Sequence, residues 1–286
     1  MDDALHDRLG GLGRVRHAQP LGGGDFANAF VVDLVGGERV FAKTHRRPPP
    51  GFFTTEAAGL RWLAEPEALA VPDVLLVADD DPACLVLEWI ETGGRRTRES
   101  EADFGRRLAA LHRAGAPSFG RADGRTTGSL AVPNDPSPRW AAFYAERRLL
   151  PLARIAAQRS ALSTSAIASL ELVASRLEDY GAADETPARL HGDLWAGNRL
   201  VDSAGTNWVI DPAAHGGHRE FDLAMMRLFG GFGDEAFIAY EQVTPLAAGW
   251  ERRVDVHQLA PLVVHAIKFG GGYAGAVEAA LGRLGA

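Results

Sequence analysis

Apolar and β-branched residues cluster in short runs over the first third of the chain and recur at helical spacing afterwards. Residues 30–35 (FVVDLV) form one such run, Gly36-Gly37 follows as a two-residue hairpin signal, and residues 39–43 (RVFAK) return. A proline-rich loop, residues 46–51, leads into a helix in which Ala57, Leu60, Leu63 and Ala64 share a face, with Thr54 or Thr55 as the expected N-cap. Residues 74–77 and 84–90 then read as a second strand pair around the turn Asp79-Asp80-Asp81-Pro82. The pattern predicts a small antiparallel sheet with one inserted helix.

Residues 91–100 are polar and rich in Gly and Arg, and the periodicity changes after them. Phe104, Leu108 and Leu111 fall on one helix face, and residues 113–138 read as loop. Two or three helices are predicted over 140–180 and another pair over 234–270, with a short strand pair, 199–201 and 208–210, between them. The expectation is an α+β, two-lobed, protein-kinase-like chain: an N-terminal ATP-binding lobe of residues 1–91 and a mainly helical, catalytic and substrate-binding lobe of residues 92–286. There is no internal repeat.

Composition narrows the partners. The 286 residues are 46% hydrophobic and 23% charged, enough for a sizeable core. Thirty Lys and Arg face 37 Asp and Glu, a net charge of -7, which gives no broad field for a nucleic-acid backbone. The lone cysteine, Cys84, excludes an internal disulfide and a multi-cysteine zinc site. Residues 1–13 lack the apolar run of a signal peptide, and no stretch reaches membrane-spanning length, so a cytoplasmic protein without a membrane or nucleic-acid partner is expected. Nothing in the sequence predicts an oligomer.

The chemistry concentrates in His191-Gly192-Asp193-Leu194-Trp195-Ala196-Gly197-Asn198, followed by an aspartate closing an apolar strand, Val209-Ile210-Asp211. Phosphoryl transfer to a hydroxyl needs a carboxylate at the attacking oxygen and cations on the phosphate oxygens. Asp193 is placed to take the acceptor proton, and Asn198 and Asp211 to hold Mg2+ through oxygen donors. An Asx turn beside a buried histidine is the structural alternative for the octet.

The first third supplies an independent half. Gly22, Gly23 and Gly24 precede a strand rather than a helix, the arrangement that covers ATP phosphates in kinase-like folds, although Ala27 stands where the stricter pattern has a third glycine. Lys43 ends Phe41-Ala42-Lys43 as a phosphate ligand, and Glu56 in the following helix is its expected ion-pair partner; a solvated lysine and a dipole-pairing glutamate are the plain readings. Glu88, Trp89 and Ile90, at the end of the last strand of this lobe, are the candidate adenine-binding segment, with a plain core strand as the rival. Glu220 and Asp222 are read as structural, Asp222 capping the helix 223–228 and tying it to the catalytic loop. The histidines His215, His218, His257 and His265 show no zinc spacing.

These residues resemble the fructosamine kinase (ketosamine 3-kinase) family, related to aminoglycoside phosphotransferases and choline kinases. The resemblance runs through residues 191–198, Asp211-Pro212-Ala213, Gly217, Arg219-Glu220, residues 222–225 and Leu228-Phe229-Gly230-Gly231-Phe232. It extends to Gly128-Ser129, Asn134, Trp140, Phe143, Glu146-Arg147, Tyr240-Glu241, Pro245-Leu246, His257-Gln258-Leu259, His265, Phe269-Gly270 and Tyr273, and so covers nearly the whole chain. It implies ATP- and Mg2+-dependent phosphorylation of the 3-hydroxyl of ketosamines, free or on glycated amines and proteins, whose unstable 3-phosphate releases the amine. It makes Asp193 the base and Trp195 a wall for the sugar, core packing being the alternative for Trp195. Asp25 stands in the glycine loop where many relatives carry cysteine, so redox control through that loop is not implied. A kinase for an aminoglycoside, choline or another small alcohol is the alternative within this class, and a nucleotide-binding pseudokinase regulator the alternative outside it. Lys43, Glu56, Asp193, Asn198 and Asp211 are all retained, which favours catalysis.

Overall fold

The computed structural model describes residues 3–22, 27–125, 130 and 132–286. The chain divides into two compact units. One combines Met1–Arg96 with Arg199–Pro212, the other Thr97–Asn198 with Ala213–Ala286. The first unit thus takes in the returning hairpin 199–212, which the expected division assigned to the C-terminal lobe.

The first unit is built on a five-stranded antiparallel sheet. In chain order it contains α1 (Asp3–Leu9), β1 (Val15–Leu21), β2 (Asn28–Leu34), β3 (Arg39–His45), α2 (Phe52–Ala64), β4 (Val74–Ala78) and β5 (Ala83–Glu88). The spatial order is β1-β2-β3-β5-β4. Period two decides which side chains meet. Val32 and Leu34 of β2, Val40 and Ala42 of β3, and Cys84 and Val86 of β5 form one buried layer with Leu5 and Leu9 of α1. Lys43 lies on the opposite face, and α2 packs on β4 and β5.

The expected cap of α2 is corrected by the structure. The helix starts at Phe52, with Gly51 in the left-handed region at its N-cap, and no side chain of its own first residues caps it. The Asp79 carboxylate does so from outside, accepting from the Phe53 N–H (2.7 Å), the Thr54 N–H (3.3 Å) and the Thr54 hydroxyl (2.6 Å). A carboxylate at this end also meets the positive pole of the helix.

The second unit is mainly helical: α3 (Arg98–Arg113), α4 (Trp140–Tyr144), a π-helical turn Ala145–Leu149, α5 (Leu150–Gln158), α6 (Thr164–Ser175), α7 (Glu220–Phe229), α8 (Asp234–Val243), α9 (Trp250–Phe269) and α10 (Gly272–Arg283). A two-stranded ladder of β6 (Ala188–Leu190) and β9 (His215–Gly217) flanks the octet 191–198 in sequence. The hairpin β7 (Arg199–Val201) and β8 (Asn207–Val209) belongs to the first unit, where Ala70 bridges to Trp208. Thr97 and Ser100 form a reciprocal capping box at the start of α3. Its apolar face, with Phe104, Leu108 and Leu111 fully buried, packs against α8. Among the described residues no helix is long and apolar enough to cross a membrane.

Helix α9 carries Pro261 in its interior, which removes the N–H that would bond the His257 carbonyl. The Tyr144 hydroxyl fills the gap, its single hydrogen shared between the carbonyls of Val256 (2.9 Å) and His257 (3.0 Å). Tyr144 is buried beside a stacked Trp140, so this is an interior repair of a helix fault. Tyr144→Phe is expected to lower stability by about 1–3 kcal/mol, because the buried His257 carbonyl, already without its helical N–H, loses the hydroxyl donor. Chemical denaturation checks this, and an unchanged midpoint would show that Pro261 is accommodated in another way.

Candidate active site

In the first unit the strand β3 ends by directing Lys43 toward α2. Its ammonium donates to Glu56 Oε1 (2.8 Å) and to the Asp211 carboxylate, a residue 168 positions away. The Lys43 and Glu56 side chains are each 13% exposed, whereas Asp211 is 41% exposed. Burial alone would lower the Lys43 pKa, but the two carboxylates outweigh it and hold the ammonium above its ordinary range. Asp211 has φ of 55°, the left-handed region that a non-glycine residue enters only when its surroundings hold it there.

The other first-unit candidates lie along the strand ends. Gly22 follows β1 and is exposed, while Gly23 and Gly24 lie outside the described residues. Glu88 ends β5. Its N–H donates to the Asp73 carbonyl (2.9 Å), and its carboxylate accepts from the Asp73 N–H (3.3 Å). Trp89 donates from its indole to Glu91 (2.9 Å), with the Arg39 guanidinium over its ring at 5.7 Å, and Ile90 is buried.

In the second unit the octet 191–198 is a loop anchored from below. The buried Asp222 carboxylate accepts from the His191 N–H (2.8 Å) and the Gly192 N–H (2.9 Å). His112 of α3 contacts the same carboxylate through Nε2 (3.2 Å) and the Tyr240 hydroxyl of α8 through Nδ1 (2.8 Å). Burial disfavours the ionised Asp222, but the bond and charge of His112, the charge of His191 and the Gly192 N–H together hold its carboxyl below the usual range. Asp222 therefore ties the loop as expected. It does not cap the helix, because α7 begins two residues earlier at Glu220 and no side chain caps it.

Within the loop, the Asn198 amide donates to the Asp193 carbonyl (2.8 Å) and to Asp193 Oδ2 (3.0 Å). This fixes the rotamer of Asp193 and turns the amide oxygen of Asn198 to the opposite side. Trp195 is 40% exposed, so it is not a core residue. Its ring lies against the loop backbone: a Cβ at Gly197 would stand 2.2–2.6 Å from three indole carbons, so a side chain there would displace the indole from this position. Fit to a magnesium ion rests on the donor set: Asp211 offers carboxylate and Asn198 amide oxygens, the hard donors such an ion takes.

A third cluster is not a metal centre. Among the described residues only His218, Glu220 and His257 bring three ligand-type atoms within 4.8 Å. Both Glu220 oxygens are engaged by Arg253 (2.8 and 2.6 Å), and His218 is held by the Ala182 carbonyl (3.0 Å) and the Glu220 N–H (3.2 Å). A guanidinium already supplies the positive charge. Sequence reasoning assigned no such role to His112, Tyr240, Asp79 or Arg253. Each acts on a partner remote in sequence or in another element, and no local spacing marks it.

Two outcomes follow from these bonds. Asp222→Ala is expected to cost about 3 kcal/mol or more, since two buried N–H donors lose their acceptor. A loss below about 0.5 kcal/mol in denaturant titration would mean that the loop is held by other contacts. Glu220 has its carboxyl lowered from an ordinary 4.5 to about 2; burial opposes this, but Arg253 and then His257 outweigh it. A depressed folded pKa contributes stability that is complete above the unfolded value and lost as pH falls through the folded one. The stability difference between wild type and Glu220→Gln should therefore be constant above about 4.5 and shrink steadily as pH falls toward about 2. Thermal melts across that window test it, and a difference independent of pH would contradict it.

Known proteins resemble this chain along nearly its whole length. A family model described as fructosamine kinase matches residues 2–285. The chloroplastic protein-ribulosamine 3-kinase of Arabidopsis thaliana is 35% identical over 240 residues, covering 82% of this chain and 72% of that protein. A solved structure from Thermobifida fusca, assigned as a fructosamine-3-kinase, superposes with a TM-score of 0.90 at 38% identity and 100% coverage of both chains. A thermostable mutant of the aminoglycoside phosphotransferase APH(4)-Ia, in complex with AMP-PNP and hygromycin B, superposes at a TM-score of 0.69 over 98% of both chains, with 17% identity, a likeness of fold alone. This chain belongs to the fructosamine kinase family and has its α+β, protein-kinase-like fold.

Proposed function

We propose that this protein transfers the γ-phosphoryl group of ATP to the 3-hydroxyl of ketosamines, with Asp193 as base, Lys43 as phosphate ligand, and Asn198 and Asp211 as the magnesium-binding pair. The observation that carries the reading is the buried Lys43 ammonium held between Glu56 and Asp211. An ammonium kept charged and aimed by two carboxylates has the position and protonation state needed to grip phosphate oxygens. The membership of the chain in the fructosamine kinase family supports the acceptor class, and the Arabidopsis relative carries the 3-kinase name.

In the step itself the acceptor proton passes to the Asp193 carboxylate as the bond from O3 to the γ-phosphorus forms. The bond from that phosphorus to the bridging oxygen breaks, and ADP leaves with its electron pair. Asn198 keeps Asp193 in place through its amide nitrogen. When bound, magnesium neutralises phosphate oxygens and the charge that develops on the leaving group. Gly22, Gly23 and Gly24 are proposed to cover the phosphates with backbone N–H groups, and the backbone of Glu88, Trp89 and Ile90 to face adenine. The 3-phosphate product decomposes and frees the amine, so the activity removes sugar from glycated amines.

The decisive assay follows ADP release with a fructosamine or ribulosamine and identifies the phosphorylated carbon by 31P and 13C NMR. Wild type is expected to give the 3-phosphate, and Asp193→Asn to lose about 10²–10⁴-fold in kcat with ATP binding retained. Turnover on an aminoglycoside or choline but on no ketosamine would reject the acceptor class. Equal ATP consumption by wild type and Asp193→Asn would reject the role of the aspartate.

A further inference from the structure

Next to Trp195, the second unit carries a run of aromatic rings that is exposed at Trp195 and Phe269 and half-buried between them. Trp195 meets Phe229, the last residue of α7, edge to face at 6.1 Å. Phe229 packs on His265 of α9 at 4.9 Å. His265 in turn contacts Phe269 (5.5 Å) and Tyr273 (5.0 Å), which lie 6.2 Å from each other. Phe269 is 52% exposed and Trp195 40%, although two rings of this size on one surface are costly to leave in water.

The strip is built rather than accidental. Gly197 lets the indole lie on the loop backbone. His265 donates from Nδ1 to the Pro261 carbonyl (2.7 Å), which sets its ring plane. Gly270 and Gly271, with φ of 63° and 60°, turn the chain sharply between α9 and α10, so that Phe269 at the end of one helix meets Tyr273 at the start of the next. Left-handed backbone at two successive positions is glycine territory. All of this belongs to the same unit as Asp193, two residues before Trp195.

The acceptor chemistry says what such a strip would meet. In a ketosamine the nitrogen sits on C1, two carbons from the 3-hydroxyl, and carries the rest of the amine outward. The nitrogen is a cation at neutral pH and its substituent is carbon-rich, a combination that aromatic faces attract. We propose that Phe229, Phe269 and Tyr273, continuing from Trp195, form the subsite for the amine-borne substituent, and that this strip selects ketosamines whose amine carries an aromatic or extended apolar group. The inference rests on the ketosamine reading above and specifies the part of the substrate which that reading leaves open.

The test uses the full chain and two fructosamines with the same sugar, one bearing N-benzyl and the other N-methyl. Wild type is expected to prefer the benzyl compound in kcat/KM. In Phe269→Ala and Tyr273→Ala that preference should fall about tenfold, through KM rather than kcat, with Tyr273→Phe restoring it. Equal losses on both compounds, or an unchanged ratio in both alanine variants, overturn the subsite. So does a change in sedimentation on Phe269→Ala with the ratio unchanged, because the patch would then be a self-association surface. Failure of wild type on both ketosamines sinks the acceptor reading itself and this inference with it. A wild-type preference for the methyl compound sinks this inference alone.

Discussion

One buried ammonium organises the first unit. Lys43 leaves β3, a strand whose other face is committed to the apolar layer under α1, and is flanked by Glu56 of α2 and by Asp211 from the far end of the sequence. Truncating one partner of a buried pair such as Lys43 and Glu56 typically costs about 3–5 kcal/mol, because the charge left behind is poorly solvated. The same contact helps explain why residues 199–212 fold with a sheet laid down more than a hundred residues earlier. A strand bridge and an ion pair hold them there. The unusual backbone of Asp211 is sustained by this attachment.

The second unit solves the complementary problem of making a loop rigid. Its device is also a buried carboxylate, but here the partners are backbone N–H groups. Asp222 takes two successive ones, and His112 and Tyr240 carry the polar chain from α7 through α3 to α8. A carboxylate with several donors is stable in the interior where a lone one is not. The rigidity passes upward, since Asn198 holds both the carbonyl and the side chain of Asp193. The order of Asp193 thus begins at Asp222, a residue outside the loop.

Much of this was legible in the sequence for a simple reason: the chemistry sits in short runs. The octet at 191–198, the Phe-Ala-Lys strand end and the glutamate at 56 are local patterns, and the structure joins Lys43 to Glu56 and Asp211. Four of the five sheet strands, β2 to β5, were visible through their apolar runs. What stayed hidden depends on long-range pairing. Asp79 caps a helix from another element, Arg253 neutralises Glu220 across 33 positions, and His112 reaches Asp222 across 110. The start of α2 was misread because Thr54 and Thr55 are good capping residues and the actual cap lies outside the helix. α1, β1, β6, β9 and α10 are short or weakly patterned, so periodicity alone did not separate them from loop.

Cys84 has a practical consequence. It lies fully buried in the layer between the sheet and α1, and burial pushes its thiol up to about 11. Only a thiolate attacks alkylating reagents or enters disulfide exchange, and a protonated sulfur sealed in a core does neither. The molecule therefore needs no reducing agent for handling. Because it is the only cysteine in the chain, its modification by a fluorescent maleimide reports, at a single known position, how often the sheet opens to solvent.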